Sequence, residues 1–119
     1  MPMAENGRKN FYKLTTAVYI LKILSESGPS HGNRIAEEIR RRTSQVISPN
    51  PNNLYPTLHL LEERGYISGC WKDTQIRNKK IYHITENGTA YLPELEERLR
   101  LRIEEIKINI DMIQKDLLS

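Results

Sequence analysis

Five side chains in one short stretch, Asn52, Asn53, Tyr55, Thr57 and His59, have the types and spacing to do recognition chemistry. An asparagine carboxamide can donate to and accept from an adenine edge at once. Threonine and tyrosine hydroxyls can reach base edges or phosphate, and a threonine methyl can meet a thymine methyl. These residues interleave with Leu54, Leu58 and Leu61, whose i, i+4, i+7 spacing predicts a helix with one buried face. The helix is expected to start near Asn50 or Asn52 and to end at Gly65. A helix N-terminus also favours phosphate. In isolation Asn50, Asn52 and Asn53 read more simply as turn and cap residues, so the surroundings must decide.

Two further groups of cations accompany them. Arg77, Lys79 and Lys80, flanked by Lys72, fall between or on two runs rich in Tyr, Ile and Trp, Tyr66–Lys72 and Lys79–Ile84. These runs predict a β-hairpin whose tip could meet a phosphate backbone or a narrow minor groove. The plainer role of such charges is to keep a strand edge from aggregating. Arg8, Lys9, Lys13 and, from a neighbouring helix, Arg34 complete a set of candidate phosphate contacts, which would carry affinity rather than sequence choice.

No catalytic constellation is present in the sequence pattern. His31, His59 and His83 fall on separate elements without metal-ligand spacing, and no glycine-rich phosphate loop follows a strand. Neither metal nor cofactor is expected. Glu62/Glu63, Glu96/Glu97 and Glu104/Glu105 read as helix-surface pairs. Cys70, the single cysteine, reads as a small hydrophobe of the sheet and excludes an internal disulfide. Trp71 reads as packing, with a flat face on which an aromatic ligand near a dimer cleft could stack.

Three helices must position these groups. Phe11, Leu14, Val18 and Leu21, widened by Ala17, Ile20 and Leu24, predict a first helix buried on more than one side and stopped at Ser27-Gly28-Pro29. Ser30 is the expected cap of a second helix that runs to Arg42, with Ile35 and Ile39 inward. Arg40, Arg41 and Arg42 suit its C-terminal dipole as well as they suit a polyanion. In the third helix Pro56 removes one N–H and clashes with the carbonyl of Asn52, predicting a late start or a bend. Thr85 is the expected cap of a fourth helix, with Pro93 either kinking it or opening a new segment.

The longest pattern lies at the end. Leu92, Leu95, Leu99, Ile103, Ile106, Ile110, Ile113 and Leu117 form an a/d seam that would span roughly 38 Å as a helix. Nothing else in the sequence is long enough to cover it, so a second copy of the chain is the expected partner, together with the first helix. Charge divides at the same place. Residues 1–84 carry 13 lysines and arginines against 7 acids, a balance of +6, and the remainder of the 119 residues is −3. A basic part joined to an acidic helical part suggests a polyanion-facing domain with a solvated or self-associating extension, and an ordinary charged surface accounts for the charges alone equally well. No apolar run approaches the ~20 residues of a membrane span, and no signal-like segment follows the N-terminus. A cytoplasmic setting is expected, without a membrane partner.

At Ser48 to Gly65, with the run NNLYPTLHLLEERGYI, the sequence resembles the PadR family of bacterial and archaeal transcriptional regulators. Tyr55-Pro56-Thr57-Leu58 matches its motif in the recognition helix, followed by Leu61, Glu62, Glu63 and Gly65. His31-Gly32, Lys80-Ile81-Tyr82 leading to Ile84-Thr85-Glu86, and Gly88 extend the match over residues 11–92. Departures are Asn33, where the family has an aromatic, Asn50-Pro51-Asn52-Asn53 in place of a glycine, and Gln75-Ile76-Arg77-Asn78 at the hairpin tip. The resemblance implies a winged-helix homodimer on a palindromic operator, usually a repressor, with the third helix in the major groove and the wing near the minor groove. It implies DNA contacts from Tyr55, Thr57, Lys79 and Lys80, and for some members release by small aromatic compounds at the dimer interface.

The expected architecture is therefore mainly α with a small β-hairpin: a winged helix-turn-helix with a long C-terminal dimerisation helix. Residues 1–10 are expected as a polar arm, 11–91 as the DNA-binding domain and 92–119 as the dimerisation helix. The expected function is a non-enzymatic regulator that binds double-stranded DNA as a homodimer, with a small aromatic effector as a further expectation. The alternative is a winged-helix protein-interaction module without its own DNA target.

Overall fold

The computed structural model describes residues 5–71 and 80–118, with side chains from residue 10 onward in those spans. Helix α1 (Glu5–Ser27) is followed by strand β1 (Ser30–His31), α2 (Gly32–Arg42), α3 (Pro51–Glu63), β2 (Ile67–Trp71), β3 (Lys80–Ile84) and α4 (Glu86–Leu118). Helix α1 begins within the segment expected as an arm. Residues 5–10 hold no proline, and extending a helix already anchored by packing adds a hydrogen bond for each residue fixed.

The wide apolar arc of α1 is covered as its breadth requires. Ile20, Leu21, Ile23 and Leu24 are buried in a core shared with Ile35 and Ile39 of α2, Leu54, Leu58 and Leu61 of α3, Ile67 and Tyr82 of the sheet, and Leu95 of α4. The sheet is antiparallel in the order β1-β3-β2, with Ser30 opposite Tyr82 and Gly69 also opposite Tyr82 on the other side. The hairpin thus has a third strand that the sequence did not reveal. Ser30 belongs to it, and the cap of α2 is His31, whose Nδ1 accepts the Arg34 N–H at 3.3 Å. A two-residue strand has no alternation to detect.

Helix α3 starts at Pro51, five residues before Pro56, so the internal proline neither delays it nor stops it. Asn50 caps it: its Oδ1 accepts the N–H groups of Asn52 (2.8 Å) and Asn53 (3.2 Å), while Asn53 Oδ1 accepts the Asn50 N–H at 2.9 Å. This reciprocal box, with Pro51 in the first turn, supplies the nucleation that Pro56 weakens. The helix ends in a left-handed turn at Gly65 (φ +81°), where the Tyr66 N–H reaches the Leu61 carbonyl at 2.9 Å.

The same turn seats α4. Thr85 donates through Oγ1 to the Gly65 carbonyl (2.6 Å) and accepts the Gly88 N–H at 3.0 Å. A Cβ at position 88 would lie 2.0 Å from the Tyr66 carbonyl oxygen, so only glycine allows this approach. Tyr66 and Tyr91 stack with ring centroids 4.0 Å apart, and Lys22 of α1 pairs with Glu96 at 2.8 Å. Pro93 opens no new segment: α4 is one continuous helix through it. Its 33 residues reach about 50 Å, nearly the full 60 Å long axis of the molecule.

Candidate nucleic-acid interface

The buried stripe of α3 fixes what its opposite side can offer. With Leu54, Leu58 and Leu61 in the core, Asn52, Tyr55 and His59 stand exposed in a row at the spacing of one helix face. A shallow groove runs along one side of this row, lined by Tyr12, Lys13, Asn53 and Pro56. A cleft of about 270 Å³ runs along the other, lined by His31, Gly32, Asn33, Tyr55, His59 and Trp71 among others. The Tyr55 ring leans over α2: a Cβ at position 32 would sit 3.0 Å from its hydroxyl. His59 is within 3.5 Å of Glu63, an exposed pair.

Two expected contacts are placed differently. Thr57 is only 4% exposed, and its Oγ1 donates to the Asn53 carbonyl at 3.0 Å, so its hydroxyl is turned into the helix. The signal was present, since Leu54, Thr57, Leu58 and Leu61 form an i, i+3, i+4, i+7 arc. Lys80 is turned inward as well, pairing with Glu62 at 2.8 Å. Asn53 remains exposed, but its carboxamide oxygen is held by the cap.

Lys13 flanks the α3 row. Arg34 does not join it. It lines a separate depression between α1 and α2 with Ser27, Pro29 and Glu38. Lys72, Arg77 and Lys79 lie outside the described residues, as do the side chains of Arg8 and Lys9. Of the α2 arginines, Arg41 and Arg42 bond Glu38, Arg42 also reaches Glu26, and Arg40 donates to the Pro49 carbonyl at 2.9 Å. Hydrogen bonds from Arg41 first and Arg42 second lower the Glu38 carboxyl to about 2. This triplet therefore braces the loop into α3 and the end of α2.

In the sheet, Cys70 is exposed rather than packed, because residues of an outer strand near its end have one face without cover. Trp71 is 65% exposed beside α3 and not against α4. Along α4 the predicted seam is divided. Leu92, Leu95 and Leu99 pack on the core, Ile103 and Ile106 are half-buried, and Ile110, Ile113 and Leu117 are exposed. A second exposed apolar stripe, Leu101, Ile108 and Met112, lies on the opposite side of the helix at about 100° per residue.

Three helices with a β-hairpin packed behind the third define a winged helix-turn-helix. The sequence profile of the Transcriptional regulator PadR-like family matches residues 20–94, and the chain belongs to this family. The regulators of this family are not enzymes. The chain is 34% identical over 88 residues to "Transcriptional regulator YqjI" of Escherichia coli, covering 74% of this chain and 41% of that protein. It thus spans well under half the length of that relative. It is 29% identical to "Transcriptional regulator Rv3488" of Mycobacterium tuberculosis, over 72% of this chain and 77% of that one. A PadR family transcriptional regulator from Eggerthella lenta shares the fold, with a TM-score of 0.68 at 22% identity over 85% of this chain and 86% of its own. No helix among the described residues is long and apolar enough to cross a membrane.

Proposed function

We propose that this regulator binds a palindromic DNA operator as a cytoplasmic homodimer and acts as a repressor. Asn52, Tyr55 and His59 face the major groove, Lys13 meets phosphate beside them, and the hairpin with Arg77 and Lys79 approaches the minor groove. The observation that carries this reading is the exposed row Asn52, Tyr55, His59 on a helix whose other side is locked into the core. A rigid helix with a polar face and a capped N-terminus is the geometry that base-edge readout requires. The exposed residues Ile110, Ile113 and Leu117 supply the self-association, and repression is the mode that the family resemblance implies.

Selection of bound sequences from random duplexes tests the reading. The expected product is a palindrome with half-sites about one helical turn apart, ~34 Å between recognition helices. Failure to shift any duplex at low salt would overturn it and leave the protein-interaction module. A small aromatic effector, on this reading, stacks on the exposed Trp71. Because Trp71 is the single tryptophan, quenching of its fluorescence by flat aromatics reports that contact directly.

A further inference from the structure

The carboxylate of Glu62 holds three elements at once. Its Oε1 lies 2.8 Å from Lys80 Nζ on β3, and its Oε2 accepts the Gly69 N–H of β2 at 3.0 Å. Glu62 itself belongs to the last full turn of α3. The two side chains are 27% and 24% exposed, well below the surface pairs of α4. Lys80 is held from its other side by aromatic faces, with Nζ 5.6 Å from the Trp71 ring centroid and 5.5 Å from that of Tyr82. The Lys80 hydrogen bond keeps the Glu62 carboxyl below the usual carboxylate range, and the same bond raises the Lys80 ammonium.

The glycine between them belongs to the arrangement. A Cβ at position 69 would stand 2.3 Å from Lys80 Cε and 3.0 Å from Glu62 Oε2, so any side chain there would displace the lysine stem. Strand β2 lies at the sheet edge, paired only with β3, and the Gly69 N–H goes to the helix. A partly covered, charge-assisted bond that also satisfies an edge N–H resists loosening more than an exposed pair does.

We propose that Glu62 and Lys80 are positioning residues that fix the hairpin against the recognition helix, and that Lys80 makes no phosphate contact. Helix α3 and the wing then meet DNA as one rigid unit. Its effect on DNA rests on the proposed function, but the tie itself does not. A phosphate-contacting lysine governs the salt dependence of binding. A positioning lysine governs whether two contact surfaces are held at the right separation, and so the preference for operator over random DNA.

Hydrogen exchange at the Gly69 amide in wild type, Glu62→Ala, Glu62→Gln, Lys80→Met and Lys80→Arg tests the tie without DNA. Glu62→Ala should speed exchange at least tenfold while core amides such as Leu58 stay protected, and Lys80→Met should speed it less. Unchanged exchange in Glu62→Ala overturns the proposal. Binding is then measured on operator and random duplexes over a range of salt. Lys80→Met and Glu62→Gln should each cut the operator-to-random ratio about tenfold, without additivity in the double variant, and Lys80→Arg should restore it. The salt slope should match wild type; a slope reduced by about one per protomer in Lys80→Met would make Lys80 a phosphate contact and overturn the proposal. Absence of DNA binding by wild type would sink the proposed function alone, with Gly69 exchange still deciding the tie.

Discussion

The two halves of α4 share one apolar spacing and meet different surroundings. In the proximal half, Leu92, Leu95 and Leu99 complete the core against α1, and Lys22–Glu96 clips the two helices at 2.8 Å. In the distal half, Ile110, Ile113 and Leu117 continue the same 3-and-4 rhythm but stand exposed, Leu117 at 70%. A periodic apolar stripe states that a face is to be buried; it does not state against what. The switch falls beyond Ile103, which still shares a groove with Phe11 and Thr15 of α1, whereas Ile110, Ile113 and Leu117 are exposed. The second stripe, Leu101, Ile108 and Met112, begins at this border and runs into the distal part. A monomeric protein rarely leaves so much apolar surface on one element.

The comparison is broken or sharpened by graded substitutions. The largest effect should come from Leu95→Ala, which empties a buried site and should cost about 2–5 kcal/mol in denaturant unfolding, at any protein concentration. Stability close to wild type would mean that the proximal half is not core. Next comes Ile113→Lys in the distal half, which should leave the circular dichroism of the fold intact. It should weaken self-association at least a hundredfold in sedimentation equilibrium, about 2.7 kcal/mol. A dimer as tight as wild type would remove this stripe from the interface.

Smaller effects probe the border and the body. Lys22→Met removes the clip between α1 and the proximal half of α4 and should lower the unfolding midpoint slightly, with the difference vanishing at high salt, since both partners are substantially solvated. A difference that persists at high salt would assign Lys22 a packing role instead. The least effect should come from pH. The folded carboxyl of Glu38 is depressed from 4.5 to about 2, so its contribution is complete above 4.5 and fades as the pH falls toward 2. The Glu38 carboxyl resonance should titrate near 2, and a midpoint near 4.5 would show that Arg41 and Arg42 do not hold it.

Much of the site was legible because it rests on short-range rules. Asn50 before Pro51, Gly65 after the last leucine turn and Thr85 three residues before Gly88 are local signals, and each caps or ends its helix as such signals do. Thr57 was legible too, at i+3 of the buried arc. Lys80 was not. Its direction depends on Glu62, 18 residues earlier, and on the Trp71 and Tyr82 faces that the hairpin register brings beside it. Nor was β1, whose two residues form a strand only because Tyr82 and Ile81 stand opposite them.

By itself the sequence determined the helices, the caps of α3 and α4 and which faces must be apolar, since these follow from backbone hydrogen bonding and spacing along one chain. It also carried the family, through Tyr55-Pro56-Thr57-Leu58 and the glycines around it. Only the tertiary structure decided which exposed cations stay free and which are tied down. It likewise decided where a single apolar stripe stops serving the monomer's own core. Both outcomes depend on what lies across a gap in space, and side-chain spacing holds no record of that.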